Sequence, residues 1–72
     1  GRQLEALESL RHALKLAPLR DDLNLHYIQL LGQLERRSEV VGHYQRYVRR
    51  LADELGLDPP DSVRDAYSRL IK

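Results

Sequence analysis

The 72-residue sequence predicts an all-α fold: an antiparallel helical repeat (an α-α superhelix) of about four helices, with residues 1–72 forming one domain. Apolar residues recur at three- and four-residue spacing through most of the chain, which is the pattern of amphipathic helices. No stretch alternates apolar and polar residues with a period of two, so no strand is expected. The pattern also recurs after 34 and 40 residues, which indicates a repeat architecture.

A first helix is predicted over residues 2–17. Its apolar stripe consists of Leu4, Leu7, Leu10 and Leu14. Pro18 ends this helix, because proline lacks the N–H group that the helical hydrogen-bond ladder needs. Asp21 or Asp22 is the expected N-cap of a second helix. The stripe of that helix, which breaks around residues 35–37, contains Leu23, Tyr27, Leu30, Leu31 and Leu34.

A third, longer helix is predicted to end at a sharp corner. Its stripe consists of Val40, Tyr44, Tyr47, Val48, Leu51 and Leu55. Gly56 suits the left-handed position that terminates many helices. Leu57 is expected to fold back onto Leu51 or Ala52, and Pro59 lies in an Asp-Pro-Pro run that prevents further helix. We interpret the corner as a rigid link that fixes the direction of the next helix.

A short fourth helix follows the corner, with Asp61 or Ser62 as its expected N-cap. Its stripe consists of Val63, Ala66, Tyr67, Leu70 and Ile71. Tyr67 is predicted to be a packing residue, because it repeats Tyr27 in register. The fourth helix is expected to cover the open end of the repeat stack.

The internal repeat has two registers. A shift of 34 residues superimposes the first helix on the third, and a shift of 40 superimposes the second on the fourth, which brings Tyr27 onto Tyr67. A shift of about 34 residues is the period of the tetratricopeptide repeat (TPR). The third helix is therefore predicted to be the elongated second helix of a TPR-like pair.

The composition argues against several functional classes. Twelve basic and eleven acidic residues give a net charge of +1, which provides no strong field for nucleic acid or a membrane. The chain has no cysteine and no apolar run long enough to span a bilayer. His12, His26 and His43 lie on three different predicted helices without a metal-binding motif, so they are expected at the surface or at the rim of the core. We expect no enzymatic activity, cofactor or small-molecule substrate, and a cytoplasmic location.

Arg46, Arg49 and Arg50 share one face of the third helix. Arg49 and Arg50 can form ion pairs with Asp53 and Glu54, which follow them at four-residue spacing. This face is interpreted as a solvated or partner-facing surface, with contact to phosphate groups as the alternative. The three arginines are the candidate interaction residues on this helix.

Several segments carry a resemblance to a known family. They are GRQLEALESLRHALKLAP, which looks like the second half of a TPR motif, the LAPLRDDL turn, EVVGHYQRY, and above all LADELGLDPPDSVRDAYSRLI. The whole chain resembles the bacterial transcriptional activator domain (BTAD), the TPR-like domain of the SARP-type regulators. It departs from the usual pattern at Val40 and Tyr47, where small residues are common in TPR motifs, and at Glu35, where this family usually has glycine.

The resemblance implies a regulatory and oligomerisation role in a transcriptional activator. In the family a winged-helix domain elsewhere in the same chain binds DNA, so no base-contacting residue is expected here. The alternative is a general TPR scaffold that binds a peptide or partner protein in its helical groove. The second and fourth helices would line that groove with Asn24, Gln29, Arg64 and Arg69.

The chain starts at Gly1 without a methionine, and we interpret it as a fragment of a BTAD from a larger regulator. If Gly1 is the turn glycine of a TPR, the helix that would cover the first helix lies upstream. Part of the Leu4–Leu7–Leu14 surface should then be exposed. Leu4 and Leu7 are therefore candidate interaction residues, and self-association is expected, since large apolar patches are rare on soluble monomers.

Overall fold

The computed structural model describes all 72 residues and contains four α-helices and no strand, so the predicted all-α fold is confirmed. The helices are α1 (Arg2–Leu16), α2 (Asp21–Gln33), α3 (Arg37–Leu55) and α4 (Asp61–Leu70). The short connections, residues 17–20, 34–36 and 56–60, make neighbouring helices pack against one another.

Helix α2 lies at the centre of the molecule. It packs against α1, α3 and α4, whereas the backbone of α1 approaches no helix except α2. Helices α3 and α4 also pack against each other. The longest helix, α3, therefore does not organise the core; the shorter α2 does.

Nine apolar side chains form the buried core. They are Leu7, Leu14, Tyr27, Ile28, Leu31, Val40, Tyr47, Leu51 and Val63. Most of them belong to the predicted stripes, but Ile28 and the polar Asn24 were not among the expected core residues. Leu55, which the third stripe included, is exposed because α3 extends beyond the helices that cover it.

The predicted N-cap of α2 is wrong. Arg20 occupies the N-cap position in an extended conformation, and Asp21 and Asp22 lie in the first helical turn without a capping side-chain hydrogen bond. Asp21 instead accepts a hydrogen bond of 2.8 Å from the Tyr47 hydroxyl, and Asp22 pairs with Arg20 at 2.7 Å. Both carboxylates still lie at the positive end of the helix dipole, where negative charge is favourable.

The predicted N-cap of α4 is also wrong, because the residue before the expected one occupies the N-cap position. Pro60 holds the N-cap position with φ −65° and ψ 156°, and neither Asp61 nor Ser62 caps the helix with its side chain. Asp61 forms an ion pair with Arg64 within the first turn instead. The rigid backbone of the proline run, rather than a capping side chain, sets the start of this helix.

Helix α2 ends with a residue in an unusual conformation. Glu35 has φ 58° and is the one non-glycine residue with positive φ. Its N–H donates to the Gly32 carbonyl at 3.1 Å, and the Arg36 N–H donates to the Leu31 carbonyl at 2.9 Å. These two bonds are the Schellman arrangement, in which the left-handed position is usually glycine. The departure from the family pattern at Glu35 therefore falls where a side chain strains the backbone.

The corner after α3 is built by its backbone. Gly56 has φ 64°, its N–H donates to the Ala52 carbonyl at 3.0 Å, and the Leu57 N–H donates to the Leu51 carbonyl at 3.3 Å. Leu57 thus folds back onto Leu51 through its backbone, whereas the residue is 56% exposed and remains outside the buried core. Pro59, by contrast, is half-buried as the chain turns towards α4.

Helix α4 joins the other helices through two kinds of contact. Val63 is fully buried in the core, while Tyr67 is half-buried and stacks on Tyr44 of α3 with 3.8 Å between ring centroids and 5° between ring planes. On α2, Gly32 allows a close approach, since a Cβ at this position would clash with the Leu70 side chain. Both Tyr67 and Leu70 therefore contribute to the seam that holds α4.

Candidate functional site

A cleft of about 600 Å³ opens between α1, the α1–α2 connection and α3. Arg11 and Lys15 of α1 lie on one side, and Arg46 and Arg50 of α3 lie on the other. Each pair is spaced by four residues, which places its two side chains on the same face of the helix. We call this site, lined by these four cations, the basic cleft.

Asn24 of α2 forms the most buried polar part of the cleft floor, with 1% of its surface exposed. Its Nδ2 donates to the carbonyl oxygens of Pro18 at 3.1 Å and Arg20 at 2.7 Å. Its Oδ1 lies 2.8 Å from His43 Nε2 and accepts from it. One amide thus connects the α1–α2 connection with α3 and fixes the shape of the floor.

His43 is the second member of this network. Its ring packs edge-on against Tyr27, with 4.6 Å between centroids and 66° between planes. Burial, and then the charge of Arg46, lower the pKa of His43 to about 4, so the imidazole is neutral at pH 7. His43 is half-buried and lines the cleft, which agrees with the expected rim position, and His12 and His26 are exposed at the surface.

Two tyrosine hydroxyls complete the polar floor. Tyr27 accepts a hydrogen bond of 2.9 Å from Arg11 Nε, and that guanidinium also lies 3.5 Å from Glu39 of α3. Tyr47 donates to Asp21 at 2.8 Å, and burial together with this bond raises its pKa, so the hydroxyl stays protonated. No buried side-chain nitrogen or oxygen lacks a partner. The polar groups of the floor are therefore all hydrogen-bonded within the domain and have a structural role in the cleft.

The predicted interaction residues of α3 divide between two surfaces. Arg46, Arg49 and Arg50 are all exposed, but only Arg46 and Arg50 line the basic cleft. Arg50 forms the expected ion pair with Glu54, whereas the expected pair between Arg49 and Asp53 is not formed. The structure adds Arg11 and Lys15, which the sequence analysis missed. Their four-residue spacing on the first helix was the available signal, but only the fold shows that this face meets α3.

The predicted interaction residues of α1 are only partly exposed. Leu7 is 2% exposed, so its assignment to an open surface is wrong, and Leu14 is buried as well. Both are covered because α2 packs along this stripe. Leu4 remains 49% exposed at the edge of the stripe. The uncovered apolar surface is therefore smaller than the sequence predicts.

Of the residues expected to line a groove on the second and fourth helices, not all are accessible to a partner. Asn24 cannot meet a partner there, because it is buried and fully hydrogen-bonded. Gln29, Arg64 and Arg69 are exposed, and Arg64 is paired with Asp61. The groove thus retains two exposed polar side chains without a partner.

Two further observations concern the type of site. No three histidine, cysteine or acidic side chains lie close enough together to hold a metal ion. No helix combines the length and apolar character needed to cross a membrane. The site is a cleft with cationic walls and an internally bonded floor.

The four helices define a small all-α helical-repeat domain. The chain belongs to the family of the bacterial transcriptional activator domain (BTAD), whose model matches residues 1–71. It is thus a regulatory domain of a bacterial transcriptional activator, and the family is not a known enzyme family. No curated protein and no solved structure is significantly similar to the chain.

Proposed function

We propose that this chain is a non-catalytic regulatory module that acts by contacting other proteins, within a transcription regulator of the SARP type. The observation that carries the proposal is the exposed basic face of α3. Arg46 and Arg49 are exposed and form no ion pair within the chain, and arginine is enriched in the energetically important parts of protein interfaces. An arginine without an internal partner can pair with an acidic group of another protein.

DNA binding, in this proposal, belongs to a winged-helix domain outside the 72 residues. The near balance of basic and acidic residues supports this division, since nucleic-acid binding usually depends on an excess of positive charge. The module would then work beside the bacterial chromosome, in the cytoplasm. Its TPR-like helices would provide the surface through which the regulator contacts its partner.

A double variant tests this proposal in a full-length regulator that contains the domain. Arg46→Glu with Arg49→Glu should reduce transcription from the target promoter, while promoter binding and the melting temperature stay close to those of the parent. Arg2→Glu is the matched control, because it reverses an exposed charge at the start of α1. Unchanged transcription, or a parallel loss of promoter binding, would overturn the proposal.

Self-association is the second candidate, and the exposed Leu4 supports it. Sedimentation equilibrium at high micromolar concentration should detect a dimer that Leu4→Ser weakens. A wild-type chain that stays monomeric under these conditions contradicts this candidate. The alternative of a general TPR groove has less support, because the buried Asn24 is no longer available to it.

A further inference from the structure

We propose that the basic cleft is a docking site for an acidic segment of a partner polypeptide. Carboxylates of the segment would meet Lys15 and Arg46 at the walls, and an apolar side chain would lie on the floor beside Leu14. The inference rests on the proposed function, since it specifies the chemistry of the partner and the place where it binds.

The distribution of charge is the first argument. The chain carries 12 basic and 11 acidic residues. Ten residues line the basic cleft, and four of them are basic while none is acidic. An almost neutral molecule therefore concentrates one sign of charge in one concave place, where field lines are focused and an opposite charge is attracted most strongly.

The availability of these cations is the second argument. Lys15 and Arg46 are absent from the five ion pairs of the chain, so they do not have to break an internal ion pair before they bind a carboxylate. Arg11 is held in place by its Nε bond to Tyr27, and its terminal nitrogens keep further donors. A guanidinium that is already oriented loses less conformational freedom on binding.

The shape and the rim of the cleft favour a polypeptide over a nucleic-acid strand. The floor offers apolar surface from Leu14, Pro18 and the tyrosine rings, and the cleft volume of about 600 Å³ is in the range of pockets that hold a compact ligand or a short peptide segment. Glu39 and Glu54 form ion pairs with Arg11 and Arg50 of the walls, so negative charge lies next to the lining residues. A long polyanion would meet these carboxylates, whereas a short acidic segment can place its charges between them.

The test uses two fluorescent peptides, one of alternating glutamate and leucine and its counterpart of alternating glutamine and leucine. The glutamate peptide should bind the 72-residue chain at low salt at least about tenfold more tightly than the glutamine peptide. Added salt should weaken the binding. In a ¹⁵N-labelled chain, the amide signals of Lys15, His43 and Arg46 should shift, while those of α4 stay in place.

Two variants complete the test. Lys15→Glu with Arg46→Glu should weaken the glutamate peptide by at least about tenfold, because it reverses the two unpaired charges of the walls. Arg2→Glu, which lies outside the cleft, should bind like the parent chain. Circular dichroism checks that the helices are retained. Equal binding of both peptides, or no effect of the double variant, overturns the proposal.

The source of the anion is tested with citrate and a DNA duplex. If citrate shifts the same amide signals and binds as tightly as the glutamate peptide, the cleft is a small-anion site and the proposal fails. Tighter binding of the duplex also overturns it. Failure of the docking site leaves the broader function intact if the Arg46→Glu, Arg49→Glu regulator still loses transcription, so the two outcomes are distinguishable.

Discussion

His43 is half-buried and forms a hydrogen bond to Asn24 Oδ1 through Nε2. In the neutral imidazole, this bond requires the proton to be on Nε2. Asn24 has used its own donors on two carbonyl groups, so the amide oxygen is the group that His43 meets. Protonation would add a charge to a half-buried ring that lies near Arg46. The histidine is therefore a structural part of the cleft floor at neutral pH.

This environment predicts a pH dependence of stability. The pKa of His43 is about 4 in the folded chain and near 6.5 in an unfolded chain. Between these values the unfolded state binds a proton that the folded state does not, so the free energy of unfolding falls as the pH drops from about 6.5 to 4. The contribution should be about 2 kcal/mol after a discount for partial solvent access.

Urea denaturation at several pH values measures this effect. His43→Gln keeps a donor for Asn24 and cannot titrate, so its free energy of unfolding should change less than that of the parent chain across this window. His12→Gln is the matched control, because it removes a histidine from an exposed position. If both variants alter the pH profile to the same extent, the assignment to His43 is wrong.

Glu35 is a second residue that affects the stability of the domain, in this case through its backbone conformation. A non-glycine side chain in the left-handed region costs about 1–2 kcal/mol, and glycine avoids most of this strain. Glu35→Gly should therefore raise the free energy of unfolding by about 0.5–1 kcal/mol, because the greater freedom of glycine in the unfolded chain offsets part of the gain.

Thermal denaturation compares this variant with Glu35→Ala. Alanine also removes the charge but keeps a Cβ, so it should give no comparable stabilisation. An equal gain from both variants would mean that the glutamate charge, rather than its φ of 58°, is responsible.

At the scale of the elements, the four helices were predictable because each buries one face and keeps a regular apolar spacing. The start of α1 was predicted correctly, whereas the N-caps of α2 and α4 were not. An aspartate before a helix is a candidate cap, but Asp21 and Asp61 are drawn to Tyr47 and Arg64 instead. Those competing partners come from the arrangement of the side chains in space, which local sequence patterns do not contain.

The seam between α3 and α4 depends on the stacked rings of Tyr44 and Tyr67. Tyr67→Ala should lower the free energy of unfolding by about 2–3 kcal/mol, because it removes a large, half-buried ring and its stacking interaction with Tyr44. Tyr67→Phe keeps the ring, so chemical denaturation should show a much smaller effect. A melting temperature that is unchanged in the alanine variant would show that the stack does not stabilise the domain.

The corner between the same helices depends on Gly56. A Cβ at this position would meet no atom within 4 Å, so the expected cost of substitution comes from the positive φ rather than from a Cβ clash. Gly56→Val should destabilise the domain by more than about 1 kcal/mol. Amide exchange should accelerate in α4 before it does in α2. Gly56→Asn, which tolerates positive φ better, should be milder, and wild-type exchange in the valine variant would show that the corner is a passive link.

At the scale of the whole molecule, the central position of α2 predicts an order of local stability. Helix α2 contacts all other helices, whereas the backbone of α1 approaches α2 alone. Native-state amide exchange should therefore show the highest protection in α2 and lower protection in α1, since regions with fewer packed neighbours open more easily. Equal protection in both helices would indicate that the domain opens as a single unit.

The candidate site shows where sequence alone reaches its limit. The arginines of α3 were identified because they share one helix face. Arg11 and Lys15 come from a helix more than 25 positions away in the chain, and nothing local links them to Arg46. Asn24 was wrongly assigned to an exposed groove, because a polar residue beside a leucine stripe is normally expected at the surface. Only the fold shows that the carbonyl groups of Pro18 and Arg20 and the ring of His43 satisfy its hydrogen bonds in the interior.

The two walls of the basic cleft, α1 and α3, both pack on α2, and this arrangement determines how easily the cleft can widen. The backbones of α1 and α3 both rest on α2 and do not pack against each other. Across the opening they are joined by the Arg11–Glu39 ion pair, with 3.5 Å between nitrogen and oxygen and both side chains partly exposed, and exposed ion pairs contribute little stability. The distance between α1 and α3 across the cleft is therefore the easiest to change in this domain. A bound segment can widen the cleft by breaking this one ion pair, without disturbing the buried core around α2.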